Sequence, residues 1–106
     1  MWIFLRRSLL PFVSCLDSFS KRFCSVLLRD RCGTTTLLIC VYLPHNDRSS
    51  ASHNEYLIAL GELEGFINCH TSDHILIAGD FNVDFCHASM TLQHLRNFMT
   101  DLNLVS

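Results

Sequence analysis

Apolar and polar positions along this chain alternate between two periods, and the change of period marks out the elements. Phe23-Cys24-Ser25-Val26-Leu27-Leu28 is rich enough in large apolar residues to predict a strand. Asp30-Arg31-Cys32-Gly33-Thr34 follows with turn chemistry, Gly33 being free to take positive φ. The chain then re-enters a strand over residues 35–42, whose centre is the continuous run Leu37-Leu38-Ile39-Cys40-Val41-Tyr42. The two segments are expected to pair as a hairpin. Pro44 ends the second, and the polar residues 45–51 form a loop.

A helical period comes next. Ser52 and Glu55 stand at capping-box spacing, and Tyr56, Leu57, Leu60, Leu63 and Ile67 fall on one face, with Glu62 and Glu64 off it. Gly61 weakens this helix by up to about 1 kcal/mol relative to alanine, and the length of the apolar face offsets it. The helix runs out near Asn68, and Thr71-Ser72-Asp73 leads into the stretch that organises the chain, His74-Ile75-Leu76-Ile77-Ala78-Gly79-Asp80-Phe81-Asn82-Val83-Asp84. A short apolar run with two isoleucines, closed by Gly79, predicts a buried central strand of a covered sheet. Strand, crossover helix and strand imply two parallel strands ending on the same rim. A second helix is predicted over residues 89–102, with Leu92, Leu95, Phe98, Met99 and Leu102 on its core face.

The amino terminus is less regular. Residues 1–16 are hydrophobic, but Arg6 and Arg7 split them and Pro11 interrupts the longer half. A secretory signal carries its charges before one unbroken apolar core, and a membrane span needs about 20 apolar residues. Residues 1–5 are therefore expected to form a strand and residues 9–21 a connecting loop, with a signal peptide as the alternative. No internal repeat or low-complexity segment is present.

Length and charge narrow the class. A chain of 106 residues, 49% apolar, suits one small α/β domain with one core. A net charge of −2 advertises neither nucleic acid nor an anionic membrane as the partner. Arg6, Arg7, Lys21, Arg22, Arg29 and Arg31 nevertheless concentrate the positive charge ahead of a more acidic remainder. No aromatic residues alternate with that cluster as a stacking platform would require, so it reads as a solvated surface.

Six cysteines could suggest a disulfide framework, yet Cys24 and Cys40 fall inside predicted strands, where free cysteine behaves as a small hydrophobe. No Cys-x-x-Cys spacing occurs. A reducing, intracellular compartment is the expectation. Cys69 with His70 and His74, and Cys86 with His87, are too sparse to predict a metal site. His53 and His94 read as exposed helix residues.

The candidate chemistry lies at the shared rim. Open α/β sheets place ligands beyond the carboxyl ends of their strands. Asp80 brings an acceptor-only carboxylate there, and Asn82 brings both a donor and an acceptor. For a bare Gly-Asp pair, an Asx-type turn leaving a strand is the simpler reading.

Val41-Tyr42-Leu43-Pro44 and Gly79-Asp80-Phe81-Asn82-Val83-Asp84, on either side of an amphipathic helix, resemble the middle of the endonuclease/exonuclease/phosphatase family. The likeness is greatest to the endonuclease domain of LINE-type (non-LTR) retrotransposon polyproteins, which also carry a reverse transcriptase. Leu60-Gly61-Glu62-Leu63-Glu64-Gly65-Phe66 and the Phe98-Met99 helix add to it. The resemblance covers essentially the whole chain. It implies a partial four-layered α/β sandwich, one partial domain over residues 1–106 that lacks the amino- and carboxyl-terminal parts: strand and hairpin in 1–42, loop and helix in 43–70, strand and catalytic-type loop in 71–88, helix in 89–106.

The resemblance also implies an activity, Mg²⁺-dependent hydrolysis of DNA phosphodiesters. Asp80 would polarise or deprotonate the attacking water, Asn82 would orient that carboxylate and contact the phosphate, and Tyr42 would stabilise the developing charge. His45, where the family often has asparagine, Arg48 and Asp84 are the candidate substrate-binding residues, with a solvated loop the simpler reading for Arg48 and a turn for Asp84. The family's metal-binding glutamate and amino-terminal asparagine would precede Met1, and its serine-aspartate-histidine motif would follow Ser106. The expectation is a segment inactive alone, whose complete domain takes DNA as partner and Mg²⁺ as cofactor. The alternatives are a non-enzymatic truncated remnant or a protein-interaction polypeptide, and, more distantly, another metallophosphoesterase.

Overall fold

The structure, a computed structural model, describes all residues except Met1, Trp2, residues 17–19, residues 46–48, Phe85, residues 87–88 and Ser106. It divides into two compact units. The first comprises Met1–Tyr42 with His70–Asp80, and the second Leu43–Cys69 with Phe81–Ser106.

The first unit is a four-stranded mixed sheet. Strands β1 (Val13–Leu16), β2 (Phe23–Arg29), β3 (Thr35–Tyr42) and β4 (His74–Asp80) lie in the order β1-β2-β3-β4, with β1/β2 and β2/β3 antiparallel and β3/β4 parallel. The β2–β3 hairpin forms where the turn residues predict it. The Asp30 side chain caps the bend, its Oδ1 accepting from the backbone N–H of Cys32 and of Thr34, each at 2.9 Å, while Gly33 takes φ 86°.

Beyond β1–β3, one contact sets the start of the parallel pair. Asp73, just ahead of β4, accepts through Oδ2 from the Thr35 backbone N–H at 2.8 Å and the Thr35 hydroxyl at 3.1 Å, and its own N–H donates to the Thr35 carbonyl at 3.1 Å. These bonds from Thr35, the backbone one first, hold the Asp73 carboxyl below its ordinary pKa of 3.8. A depressed carboxylate stabilises the fold above its unfolded-state pKa and ceases to do so as pH falls through the lower folded-state value. Asp73→Ala is therefore expected to melt in less urea than the parent at neutral pH, with the gap closing as the titration is carried well below pH 3.8. A gap of constant size down to the acid limit would contradict the carboxylate's role.

Two expectations for this unit need correction. The strand expected over residues 1–5 is not there in its described part: residues 3–6 lack regular structure, and Met1 and Trp2 lie outside the described residues. Instead a 3-10 helix, Arg7–Phe12, precedes β1 inside the segment expected to be loop. Pro11 has a fixed φ and no N–H, which suits a tight turn and not a strand ladder, and the residues behind it reach β2 through the pairs Val13↔Leu28 and Cys15↔Val26.

The second correction concerns β4, an edge strand with Leu76 57% exposed and Ile75 and Ile77 half-buried. An apolar run reports affinity for a sheet but not what covers it. Strand β3 shows the same limit in milder form: Leu37, Ile39 and Val41 are fully buried, while Leu38 and Cys40 on the other face are half-exposed.

The second unit holds two helices, α1 (Ser50–Asn68) and α2 (Met90–Asp101). Helix α1 begins three residues earlier than the Ser52/Glu55 spacing suggests. Ser49, in extended conformation, is the cap, its hydroxyl accepting from the Ser52 N–H at 3.1 Å. Tyr56, Leu60, Leu63 and Ile67 are buried as the period predicts, joined by Ala59 and Phe66, whereas Leu57 is only half-buried. Ser89 caps α2 in the same way, accepting from the Leu92 N–H at 3.0 Å, and Leu92, Leu95 and Phe98 form its core face.

The two helices pack on one another. His53 and His94 are not simply exposed helix residues: both are half-buried, their ring centroids lie 5.1 Å apart, and His53 Nδ1 lies 3.4 Å from the Thr91 hydroxyl. No helix among the described residues is long and apolar enough to cross a membrane.

Candidate active site

The carboxyl ends of β3 and β4 bring two of the predicted residues together. In the parallel register Tyr42 is the partner of Asp80, so the phenol-bearing and carboxylate-bearing residues stand side by side at the last rung of the ladder. Both are exposed, Tyr42 at 50%. The Tyr42 N–H donates to the Arg22 carbonyl at 2.7 Å, which ties this end of β3 to the chain entering β2.

Gly79 explains how Asp80 reaches that position. It pairs with Val41 at φ 136°, and a Cβ built on it would lie 2.0 Å from the Val41 carbonyl oxygen. Only glycine fits a backbone approach this close at that angle. The sequence showed Gly79 as the end of an apolar run. Its steric role depends on a strand 38 residues earlier and could not be read locally.

Asn82 belongs to the second unit and adopts φ 48°, a left-handed conformation that asparagine tolerates better than most residues. Its Nδ2 donates to the Leu43 carbonyl at 2.6 Å. This is a long-range link, spanning 39 residues. The neighbouring Phe81 carbonyl accepts from the hydroxyl of buried Tyr56 at 2.7 Å. Thus the loop after β4 is held within its unit by two side-chain bonds that the sequence did not reveal.

Asp84 makes a turn: its Oδ1 accepts from the Cys86 N–H at 2.8 Å. His45 is exposed, and Arg48 lies outside the described residues.

No family model, no curated protein and no solved structure matches this chain. The chemistry of the rim has to be judged from its own residues. Among the described residues no group of three or more histidine, cysteine, aspartate or glutamate side chains could hold a metal ion. Near-octahedral Mg²⁺ needs several oxygen ligands, and the described residues do not by themselves fit that requirement. What the rim does offer is a carboxylate able to accept a proton or hydrogen bond from water and, beside it, a phenol able to donate one.

Proposed function

We propose that this chain is the central segment of a phosphodiester-cleaving domain of retrotransposon origin, a DNA endonuclease of the endonuclease/exonuclease/phosphatase kind, and that it does not turn over DNA by itself. The observation that carries the reading is the Tyr42–Asp80 pair at the shared carboxyl end of two parallel strands. Phosphoryl transfer needs an aligned water and donors aimed at the non-bridging oxygens more than it needs covalent help. In this reading Asp80 orients the water and draws on its proton, and the Tyr42 phenol donates to a non-bridging oxygen of the phosphate. The resemblance assigns contacts with the phosphate and the DNA backbone to Asn82, His45, Arg48 and Asp84.

The full reading places the sheet in a four-layered sandwich and includes Mg²⁺. No step is assigned to the ion, because the described residues do not make its cage. The chain alone is expected to be inert because the metal-binding glutamate and the serine-aspartate-histidine motif that the resemblance calls for are not among its residues.

A second reading, a non-enzymatic remnant that engages a partner along its sheet edge, draws support from β4, whose outer side no described strand pairs and whose Leu76 is exposed.

Supercoiled plasmid incubated with the purified chain and Mg²⁺ is expected to show no nicked circle above the protein-free background. Nicking that disappears in Asp80→Ala would overturn the inertness while supporting the nuclease ancestry. The reading frames flanking the coding segment test that ancestry separately. Upstream codons for the asparagine and glutamate, with a downstream serine-aspartate-histidine motif and reverse transcriptase, are the expected finding. Flanking frames with no trace of either side would leave the second reading standing.

A further inference from the structure

We propose that Cys24 and Cys40 are a reversible disulfide site, closing across β2 and β3 when the chain meets a small-molecule disulfide and reopening in excess thiol. The inference is independent of the proposed nuclease ancestry. Cys24 and Cys40 are direct partners in the antiparallel register, so their side chains rise from the same face of the sheet. All six cysteines are free. Neither member of the pair is buried outright: both are partly exposed.

The phase of the ladder sets the spacing. The Tyr42 N–H donates to the Arg22 carbonyl and the Asp30 N–H to the Thr34 carbonyl. Hydrogen-bonded pairs recur at every second rung between those ends, and the Cys24–Cys40 rung is one of them. Such a rung holds its Cα atoms about 5.5 Å apart, within the range a disulfide spans. Its Cβ atoms stand about 5 Å apart, farther than the roughly 3.8 Å a relaxed disulfide prefers. The strands must draw together for the bond to form, and a bond formed under that tension is readily reduced.

The two thiols already interact. Burial chiefly, and then the neighbouring Cys40 thiol, which also shares a hydrogen bond with it, push the Cys24 thiol up from its ordinary pKa. Cys15 on β1 is the nearest competitor: it pairs with Val26 and so lies diagonally from Cys24 on the same face. Oxidised glutathione serves as the probe. A thiolate of the pair attacks one of its sulfurs, breaking that S–S bond and releasing one glutathione thiolate. The second cysteine gives its proton to solvent and attacks the protein sulfur of the mixed disulfide, expelling the second glutathione. Two protein thiols are oxidised, and one molecule of glutathione disulfide is reduced to two of glutathione.

The reduced full-length chain, incubated natively with oxidised glutathione and quenched with an alkylating agent, is expected to lose two hydrogen atoms. Combined tryptic and chymotryptic mapping should then show a Cys24–Cys40 cross-link that excess reduced glutathione removes. Cys40→Ser should leave Cys24 unlinked, and Cys15→Ser should leave the cross-link unchanged. The mapping of the parent chain decides the matter if Cys40→Ser fails to fold. Stable glutathione adducts confined to Cys15, Cys32, Cys69 and Cys86, a Cys15–Cys24 link, or a Cys24–Cys40 link that forms only in denaturant would each overturn the proposal.

Discussion

Gly79→Ala is expected to cost the sheet about 4 kcal/mol, the largest effect of adding a methyl group at any of the four glycines. Two penalties add. An alanine at φ 136° occupies a conformation that L-residues rarely adopt, at about 1–3 kcal/mol, and its Cβ would meet the Val41 carbonyl oxygen at 2.0 Å. Backbone cannot swing aside as a flexible side chain can, so β3 and β4 must part at this rung, at a further cost of about 1–3 kcal/mol. A loss of that size consumes much of the roughly 5–15 kcal/mol that holds a domain folded.

Gly33→Ala is the control. Gly33 also has positive φ, at 86°, but nothing lies within 4 Å of an added Cβ, and about 1 kcal/mol is expected there. Urea midpoints compare the two, and hydrogen exchange locates the damage. Amides near the carboxyl ends of β3 and β4 should lose protection in Gly79→Ala, because Asp80 is carried out of register with Tyr42. A Gly79→Ala midpoint within the range of the Gly33 variant would mean that the two strands do not approach as described.

Leu63→Ala is expected to cost about 3 kcal/mol, while Ile58→Ala in the same helix should stay within about 0.5 kcal/mol. Both remove a branched aliphatic side chain from α1. Leu63 is fully buried on the face shared by Tyr56, Leu60 and Ile67, and its truncation leaves a cavity as well as losing the transfer free energy. Ile58 is 62% exposed, so alanine surrenders little buried surface and improves the local helix propensity. Urea denaturation followed by circular dichroism at the helical band measures the difference. Equal effects at the two positions would mean that α1 does not bury the face assigned to it.

This contrast marks how far the pattern of residues could be trusted. Leu63 and Ile58 are both aliphatic, and only their phase on a 3.6-residue period separates them. That phase is written in the sequence, and the buried face of α1 follows it. The same holds for α2, with Ser89 ahead of a period that buries Leu92, Leu95 and Phe98. It holds also for the β2–β3 hairpin, where Asp30 and Gly33 supply both the bend and its hydrogen bonds.

The rim was legible in part. Tyr42 and Asp80 each stood at the end of an apolar run, and a helix between two such runs implies parallel strands, which is how the ladder pairs them. Asn82 is legible as a polar residue two positions beyond Asp80. Its bond to the Leu43 carbonyl spans 39 residues and left no local mark.

From residue 23 onward the sequence by itself determined the kinds of element, their order and the faces the helices bury, because those depend on spacing, capping and turn chemistry over a few residues. Tertiary structure alone decided that β4 is an edge strand, that β1 forms behind Pro11 and not at the amino terminus, and that Gly79 presses on Val41. The Cys24–Cys40 rung and the Thr35–Asp73 contact belong to the same group. Each of these depends on which distant backbone arrives alongside, and an apolar run has the same composition whether or not another strand lies against it.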